Sequence, residues 1–237
     1  MRYDRVYIKA LQTASAIEYP EHIADVLYLG GCDFRCPYCY NVDLVLHSDA
    51  MPDLDLGQVL GKLAGRRRLI DGVVISGGEP TLQPGLLELM GSIKDLQLHV
   101  KLDTNGYHPE IVRRAVNCGV VDYIAMDVKG DLNHYERVAG VAAETGRLRE
   151  SIAVILESGL DHEFRTTIVP GFVSEDDVAM IAGEIRGARR YFLQGFRATR
   201  TIAWSERPPM VPSKNLMMAM AKRAALYVQE VGLRIES

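Results

Sequence analysis

Short apolar runs rich in β-branched residues recur along the chain, and most of them are followed by a segment with helical periodicity. Six such runs predict strands, at 24–29, 72–76, 96–104, 120–128, 162–169 and 189–196. Runs that are apolar throughout are typical of strands buried on both faces of a parallel sheet. The intervening helices are predicted at 57–65, 84–94, 108–117, 147–158 and 174–187. This order is that of an α/β protein with right-handed crossovers.

Six strand–helix units are fewer than the eight that close a TIM barrel. They favour a partial, open (βα)6 TIM-like barrel, with a doubly wound sheet as the second choice. The segment 6–14 predicts an additional edge strand, and a last helix is expected at about 213–231 with Ser213 as its N-cap. No repeat or linker divides the chain, so residues 1–237 are expected to form a single domain.

The composition is that of an ordinary globular protein, with 237 residues of which 48% are hydrophobic and 24% charged. A formal net charge of −4 argues against binding to a phosphate backbone, so no nucleic-acid partner is expected. No apolar run reaches the roughly 18 residues of a membrane helix, and the N-terminus mixes charges into its apolar stretch. These features predict a cytoplasmic protein without a membrane partner, whose thiols are reduced.

Three of the four cysteines lie within eight residues of one another: Cys32, Cys36 and Cys39. Clustered thiols in a reduced compartment indicate metal or iron–sulfur chemistry, and the loop at 30–42 that carries them follows the first of the six strands. Three thiolates can hold three irons of a 4Fe–4S cluster and leave the fourth iron open. A zinc loop with His47 as a fourth ligand is the alternative. Cys118 precedes a predicted strand, at the opposite end of the sheet, and is expected to be a buried structural thiol.

Glycine and polar residues stand at the carboxyl ends of the predicted strands, which is the face that carries the site in such folds. They occur in Gly77-Gly78-Glu79-Pro80 (the GGEP turn), LDTNG (102–106), AMDVKGD (125–131) and RTTIVPG (165–171). Two glycines let a backbone approach a ligand closely. The alternative interpretation of GGEP is a plain strand-to-helix turn with an acidic residue in the first helical turn.

Two aspartates among these residues, Asp103 and Asp127, are flanked by apolar positions. Buried carboxylates need a positive partner, so we expect them to share a cation or a basic residue such as Lys129 or Arg165. The alternative role of Arg165 is a purely structural ion pair with one of the aspartates. Two basic runs, Arg66–Arg68 and Arg189–Arg190, are expected to lie on a solvated helix face or at the entry of a strand, with docking of an acidic electron donor as the alternative.

The Cys-x-x-x-Cys-x-Tyr-Cys loop, together with the GGEP turn, resembles the radical S-adenosylmethionine (SAM) superfamily. LDTNG, AMDVKGD, HYERVAGV (134–141) and FRTTIVPGF (164–172) resemble its branch of glycyl-radical-enzyme activating proteins. FLQGFRAT (192–199) resembles the variant associated with anaerobic ribonucleotide reductase. The resemblance covers about residues 11–200.

The resemblance implies that Cys32, Cys36 and Cys39 bind a 4Fe–4S cluster whose open iron is chelated by SAM. The cofactor-binding residues that it implies are Tyr38, Gly77, Gly78, Glu79, Asp103, Asn105 and Asp127. Tyr38 is expected beside the adenine, and Asp103 and Asp127 border the SAM carboxylate, where a monovalent cation can bind. Lys129 and Arg165 match basic residues near SAM and are the expected catalytic residues.

The activity that the resemblance implies begins with one electron from reduced flavodoxin or ferredoxin. SAM is then cleaved to methionine and a 5′-deoxyadenosyl radical, which removes a hydrogen atom from a glycine of a partner enzyme. Anaerobic ribonucleotide reductase is the expected partner. One alternative is a radical SAM enzyme for a small molecule, such as 7-carboxy-7-deazaguanine synthase. The other is a non-catalytic iron–sulfur or zinc protein, which would leave the GGEP turn and the strand-end aspartates unexplained.

Overall fold

The computed structural model describes residues 5–204 and 210–235 of the chain. Within these residues, eight strands form one sheet in chain order: β1 (Ile8–Ser15), β2 (Ala24–Leu29), β3 (Gly72–Gly77), β4 (His99–Thr104), β5 (Tyr123–Asp127), β6 (Asp161–Ile168), β7 (Arg190–Gly195) and β8 (Glu230–Arg234). β1 is an antiparallel edge strand beside β2, and the pairs β2–β3, β3–β4, β6–β7 and β7–β8 are parallel. In the described residues the sheet does not close on itself, which confirms the open α/β architecture.

In the described part of the chain, eight α-helices connect or flank these strands: α1 (Val42–Leu46), α2 (Leu56–Arg66), α3 (Leu86–Asp95), α4 (Pro109–Asn117), α5 (Glu136–Ala139), α6 (Thr145–Glu157), α7 (Glu175–Glu184) and α8 (Lys214–Ala224). Short 3₁₀ helices occur at Ser48–Ala50 and Pro80–Leu82. The side chains of Asp55, Ser174 and Ser213 accept a backbone N–H at the starts of α2, α7 and α8, so local sequence defines these boundaries. No described helix is both long and apolar enough to cross a membrane.

The prediction of a helix over 213–231 is wrong in its second half. Helix α8 ends at Ala224, and Glu230–Arg234 is strand β8, which pairs with β7. The backbone N–H of Gln229 donates to the carbonyl of Ala188, which turns the chain onto the sheet. Val228, Val231 and Gly232 are poor helix formers, and an unpaired edge of β7 offers this segment a ladder of hydrogen bonds instead.

The chain packs as two compact units. The first unit comprises Met1–Asp33, Asp43–Thr104 and Glu110–Ile124, and the second comprises Phe34–Val42, Asn105–Pro109 and Ala125–Ser237. Each has its own buried apolar side chains: Leu27, Leu63, Ile75 and Leu89 in the first, and Phe164, Tyr191, Leu193 and Met217 in the second.

One arginine of the basic run at 66–68 has a structural role inside the first unit. Arg66 donates from Nε and Nη2 to the two carboxylate oxygens of Asp25, at 2.7 and 3.0 Å. Asp25 is fully buried in β2 and also accepts the backbone N–H of Ala14 at 2.9 Å. The side chain of Arg66 is thus 23% exposed, as expected for a helix face, and also supplies the positive partner that a buried carboxylate requires.

Candidate functional site

The GGEP turn lies against the start of the cysteine loop within the first unit. The backbone N–H of Gly78 donates to the carbonyl of Leu29 at 2.9 Å, and that of Glu79 donates to Gly31 at 2.8 Å. A Cβ on Gly78 would lie 1.8 Å from the carbonyl oxygen of Gly31. Gly77 has a φ of +121°, and a Cβ there would lie 2.4 Å from the backbone nitrogen of Leu29. Both glycines are required because two backbone segments touch.

Glu79 is 1% exposed, and neutral donors fix its carboxylate. Its Oε1 accepts the backbone N–H of Thr81 at 3.0 Å and the hydroxyl of Thr81 at 2.5 Å. The hydroxyl of Thr104, at the end of β4, donates to the same oxygen at 2.8 Å. The turn is thereby tied to the LDTNG motif that follows it in the sheet.

A residue that sequence analysis did not single out, Gln83, holds the first residue of the cysteine loop. Its Nε2 donates to the carbonyl of Gly30 at 2.8 Å, and its Oε1 accepts the backbone N–H of Tyr7 at 2.9 Å. Gln83 is 6% exposed. Its partners lie far away in the chain, so no local pattern could have identified it.

Asp103 on β4 has a basic partner that the sequence interpretation did not name. The Nζ of Lys101 lies 2.6 Å from Oδ1 of Asp103, and Lys101 is 1% exposed. The same ammonium lies 5.7 Å from the centre of the Tyr123 ring. Lys101 and Asp103 are two residues apart on one strand and so share a face of the sheet, which is a signal that the alternation of the sequence did contain.

In the second unit, Asp127, Lys129 and Arg165 form a charged cluster at the ends of β5 and β6. The Nε of Arg165 donates to Oδ1 of Asp127 at 2.7 Å, and Nζ of Lys129 donates to Oδ2 at 3.3 Å. The ion pair considered for Arg165 is therefore present. Such a pair does not exclude a ligand, because the side chain of Asp127 remains 31% exposed.

The electrostatics of the charged cluster favour the ionised forms of all its members. Burial by itself raises the pKa of Asp127, but Arg165 and Lys129 outweigh burial and lower the pKa from 3.8 to about 2. Burial opposes the charge of Lys129, yet Asp127 beside it raises its pKa well above the usual value. The cluster thus presents a net positive charge to anything that binds there.

The second half of the cysteine loop, Phe34–Val42, is held by residues of the HYERVAGV motif. The backbone N–H of Arg35 donates to the carbonyl of Ala139 at 2.7 Å. Gly140 ends α5 with a φ of +71°, and a Cβ there would lie 2.0 Å from the carbonyl oxygen of Arg35. This motif therefore positions the loop through a second close approach of two backbones.

Cys36 and Cys39 lie in this held segment, which is also bound by the residues that follow β7. The carbonyl of Cys39 accepts the backbone N–H of Ile202 at 3.1 Å. Cys36 is 6% exposed, and burial raises its pKa to about 11 while Lys129 opposes the increase. Burial also raises the pKa of Cys39. A thiolate at either position needs positive charge close to it, which iron supplies.

Tyr38, between these two cysteines, carries a buried hydroxyl that lacks a partner within residues 5–204 and 210–235. Burial raises the pKa of Tyr38, so the hydroxyl keeps its proton and can donate. Its ring meets that of Phe172 edge-on, at 6.4 Å between centres. A buried unpaired hydroxyl is costly, and a hydrogen-bond acceptor on a ligand would satisfy it.

Two other positions differ from, or add to, the sequence expectations. Cys118 is exposed and not buried, because it follows the last turn of α4 and the chain reverses at Gly119 with a φ of +66°. Asn105 is 5% exposed, and its Oδ1 accepts the backbone N–H of Tyr107 at 2.9 Å. Its amide therefore shapes the turn after β4.

The side chains present fit an iron–sulfur cluster and SAM. Within the described part of the chain, no group of three His, Cys, Asp or Glu side chains is placed to hold a metal ion. In a cluster each thiolate binds its own iron, so the cysteines of a cluster do not converge on one ion. The thiols of the cysteine loop match iron. The hydroxyl of Tyr38, unpaired among the described residues, matches an acceptor on the adenine base, and the positive charge of the Asp127–Lys129–Arg165 cluster matches a carboxylate.

Known proteins resemble the chain in sequence and in fold. The model of the radical SAM superfamily matches residues 26–183. A Methanocaldococcus jannaschii protein whose name provisionally assigns it to the glycyl-radical enzyme activating enzymes is 29% identical over 236 residues, 97% of this chain and 96% of that protein. The pyruvate formate-lyase-activating enzyme of Streptococcus mutans is 23% identical over 222 residues, 86% of this chain and 83% of that enzyme.

A solved structure shares the fold over nearly its whole length. QueE from Escherichia coli superposes with a TM-score of 0.58 and 14% identity, covering 98% of this chain and 94% of QueE. The family match spans more than half of the chain and includes the cysteine loop, the GGEP turn and the charged cluster. The chain therefore belongs to the radical SAM superfamily and is a radical SAM enzyme, with a 4Fe–4S cluster and SAM as its cofactors.

Proposed function

We propose that this enzyme activates a glycyl radical enzyme, and that the target is an anaerobic ribonucleotide reductase. The observation that carries the proposal is the similarity to the Methanocaldococcus jannaschii protein, which extends over 97% of one chain and 96% of the other. A second relative at nearly full length is itself named for activation of pyruvate formate-lyase. The choice of the reductase rests on the resemblance of FLQGFRAT and FRTTIVPGF.

When bound, the 4Fe–4S cluster and SAM would supply the bond-breaking chemistry: one-electron cleavage of SAM and removal of a hydrogen atom from a glycine of the partner enzyme. Flavodoxin or ferredoxin is the proposed source of the electron. Cys32, Cys36 and Cys39 are the proposed iron ligands. The protein's own contribution is to position SAM and to exclude water from a reactive intermediate.

The charged cluster is proposed to orient the methionyl end of SAM. Asp127 stays ionised and holds Arg165 and Lys129 in fixed directions, with contacts of 2.7 and 3.3 Å. A guanidinium and an ammonium fixed in this way can bind a carboxylate without further ordering of side chains, which saves the entropy of ordering them on binding. Asp103, which pairs with Lys101, and Asn105 are proposed as further SAM-binding residues, and a monovalent cation is proposed at Asp103.

Tyr38 and the GGEP turn are proposed to act on the other parts of SAM. The hydroxyl of Tyr38 is protonated and unpaired among the described residues, so it can donate to a ring nitrogen of the adenine. Gly77 and Gly78 leave no side chain between the backbone and the methionyl end. Glu79, fixed by Thr81 and Thr104, offers a carboxylate to the amino group of SAM.

Electron paramagnetic resonance on an anaerobic mixture tests the proposal. The protein is reconstituted with iron and sulfide, reduced, and combined with SAM and either an anaerobic ribonucleotide reductase or pyruvate formate-lyase. We expect a glycyl radical, destroyed by oxygen, on the reductase. A radical on the lyase alone would overturn the choice of target. SAM cleavage with a small purine or pterin product, and no protein radical, would overturn the activation itself.

Two cysteine variants provide the matched control. Cys36→Ala is expected to lose the intact cluster and with it all radical formation, because each thiolate binds one iron. Cys118→Ala removes an exposed thiol and is expected to keep about four irons per chain and full activity. Cluster loss in Cys118→Ala but not in Cys36→Ala would show that the ligand assignment is wrong.

A further inference from the structure

The last strand of the sheet reaches a fully buried glutamate on β6. Arg234 on β8 donates from Nη1 to Oε1 and from Nη2 to Oε2 of Glu163, both at 2.9 Å. Its guanidinium also lies 3.9 Å from the centre of the Phe192 ring on β7. A bidentate contact with a carboxylate, together with stacking of the guanidinium on an aromatic ring, fixes both the direction and the plane of an arginine side chain.

Phe192 can occupy this place because the residue beside it on β8 is a glycine. Phe192 pairs with Gly232 in the β7–β8 register, and a Cβ on Gly232 would lie 2.3 Å from the ring. The bare backbone of Gly232 therefore makes room for the ring on which Arg234 stacks. Three strands thus cooperate to hold one glutamate in a defined position.

Glu163 in turn faces Arg165 of the charged cluster. The two residues stand two positions apart on β6 and so share a face of the sheet, with Oε1 of Glu163 3.7 Å from Nη1 of Arg165. Arg165 donates from Nε to Asp127 at 2.7 Å. The guanidinium of Arg165 is therefore held by two carboxylates, on two different nitrogens.

The consequence is a continuous series of alternating charges from the last strand to the end of β5. In order, its members are Arg234, Glu163, Arg165, Asp127 and Lys129. The ion pair with Glu163 adds a second constraint on the guanidinium of Arg165, at Nη1, to the one that Asp127 places on Nε. Arg234 determines where the carboxylate of Glu163 lies.

We propose that Glu163 and Arg234 are positioning residues of the SAM site, which act by fixing the guanidinium of Arg165 in the orientation that binds the SAM carboxylate. This inference rests on the proposed function in one respect, the placement of Arg165 beside SAM. It assigns the terminal strand β8 a role in ligand affinity.

The test is a binding titration on the reconstituted full-length protein, at a temperature well below unfolding. Glu163→Gln removes one charge at constant shape. Arg234→Lys keeps the positive charge but cannot make the bidentate contact with the carboxylate. We expect each to weaken SAM binding about tenfold in equilibrium dialysis, as is typical for groups that orient a ligand-binding side chain. Iron content is expected to stay at the wild-type value.

The matched control is another bidentate arginine–glutamate pair in the second unit. Arg149 donates to Glu184 from Nε and Nη2, at 3.1 and 2.8 Å, and both side chains are partly exposed. Arg149→Lys and Glu184→Gln repeat the same chemical changes away from the charged cluster. We expect SAM affinity in both to stay within twofold of wild type, in keeping with the small effects of surface ion pairs.

A second ligand separates positioning from a general loss of structure. 5′-Methylthioadenosine keeps the adenosine of SAM and lacks the carboxylate, so its affinity should be unchanged in Glu163→Gln and Arg234→Lys. Equal losses for both ligands would overturn the proposal in favour of a purely structural role. Should Glu163→Gln fail to fold, Arg234→Lys decides, because it leaves a positive charge beside Glu163.

Arg165→Lys distinguishes failure of this inference from failure of the proposed site. Unchanged SAM affinity in Glu163→Gln and Arg234→Lys, with weakened affinity in Arg165→Lys, would overturn the positioning role and leave the site intact. Unchanged affinity in Arg165→Lys as well would show that Arg165 does not bind SAM. In that case the site assignment fails together with the inference built on it.

Discussion

Different forces hold the GGEP turn of the first unit and the charged cluster of the second unit in place. The turn is fixed by backbone hydrogen bonds and by the absence of two Cβ atoms, with Gly78 packed onto Gly31. The cluster is fixed by ion pairs between Asp127, Arg165 and Lys129. The first region should fail when volume is added, at any pH. The second should fail when a charge is removed, and its stability should depend on pH.

Gly78→Ala is expected to have the largest effect, because the added Cβ meets a backbone oxygen at 1.8 Å and not a movable side chain. We expect the free energy of unfolding to fall by about 3 kcal/mol or more. We also expect the iron–sulfur cluster to be lost. Urea denaturation and iron analysis measure the two effects. The control is Gly61→Ala in α2, where a Cβ meets nothing within 4 Å. In this variant the free energy of unfolding should rise by about 1 kcal/mol, because Ala favours a helix more than Gly does. Wild-type stability in Gly78→Ala would remove the steric basis of the comparison.

Asp127→Asn tests the charged region through its pH dependence. The pKa of Asp127 is lowered to about 2, so its ionised form stabilises the fold above its unfolded pKa, and this contribution is lost as pH falls through the folded pKa. The shift corresponds to about 2 kcal/mol at neutral pH. We expect Asp127→Asn to be less stable than wild type by this amount at pH about 6, and the difference to shrink toward pH about 2. Urea denaturation across this pH range provides the measurement.

The control for that series is Asp176→Asn, which removes a carboxylate that pairs with Arg223 at 2.7 Å but is 81% exposed. Exposed pairs contribute little, so we expect a change below about 0.5 kcal/mol at every pH. A difference between wild type and Asp127→Asn that does not vary with pH would mean that the cluster is held by packing and not by charge.

Thr104→Val sharpens the comparison, because Glu79 is a charge in the first region that is held by neutral donors. Removing the 2.8 Å bond from the Thr104 hydroxyl should cost about 1 to 2 kcal/mol in the free energy of unfolding. Thr13→Val, at an exposed position of β1, is the control and should change little. An unaffected Thr104→Val would indicate that the remaining donors suffice for Glu79.

Tyr38→Phe should have the smallest effect, and its sign is informative. The hydroxyl is buried without a partner among the described residues, so its removal should stabilise the cofactor-free protein by about 0.5 to 1 kcal/mol. Tyr135→Phe removes an oxygen that accepts the backbone N–H of Lys129 at 3.1 Å and should destabilise by about 1 kcal/mol. Thermal unfolding of both variants gives the comparison, and equal destabilisation would show that Tyr38 already has a partner.

The six central strands were predictable because strands buried on both faces need continuous apolar residues, and such runs are visible locally. The predicted strand 24–29 matches β2, and 162–169 differs from β6 by one residue at each end. Strand β8 was missed because Glu230–Arg234 carries no apolar run of its own. It becomes a strand only because the edge of β7 pairs with it.

The residues of the candidate site also fall into two groups, those that local sequence identified and those that only the folded sheet revealed. Cysteine spacing and the GGEP turn are local in sequence, so the cofactor chemistry could be inferred from them. Gln83 and Glu163 could not be identified, since their importance depends on contacts that only the folded sheet creates. The pairing of Lys101 with Asp103 could have been inferred from their spacing of two residues on one strand. Cys118 was misjudged for a related reason: a thiol after the last turn of a helix faces solvent or core according to how the chain leaves that helix.

The α/β class, the open sheet, the membership of the superfamily and the identity of its cofactors could all be read from the sequence alone. These properties follow from the hydrophobic pattern and from short motifs whose members are neighbours in the chain. The folded structure was needed to show which backbone Gly78 touches and how Arg234 is linked to Arg165 through Glu163. Those contacts join residues on different strands or on one face of a strand, and a linear chain does not reveal such proximity until the sheet sets its register.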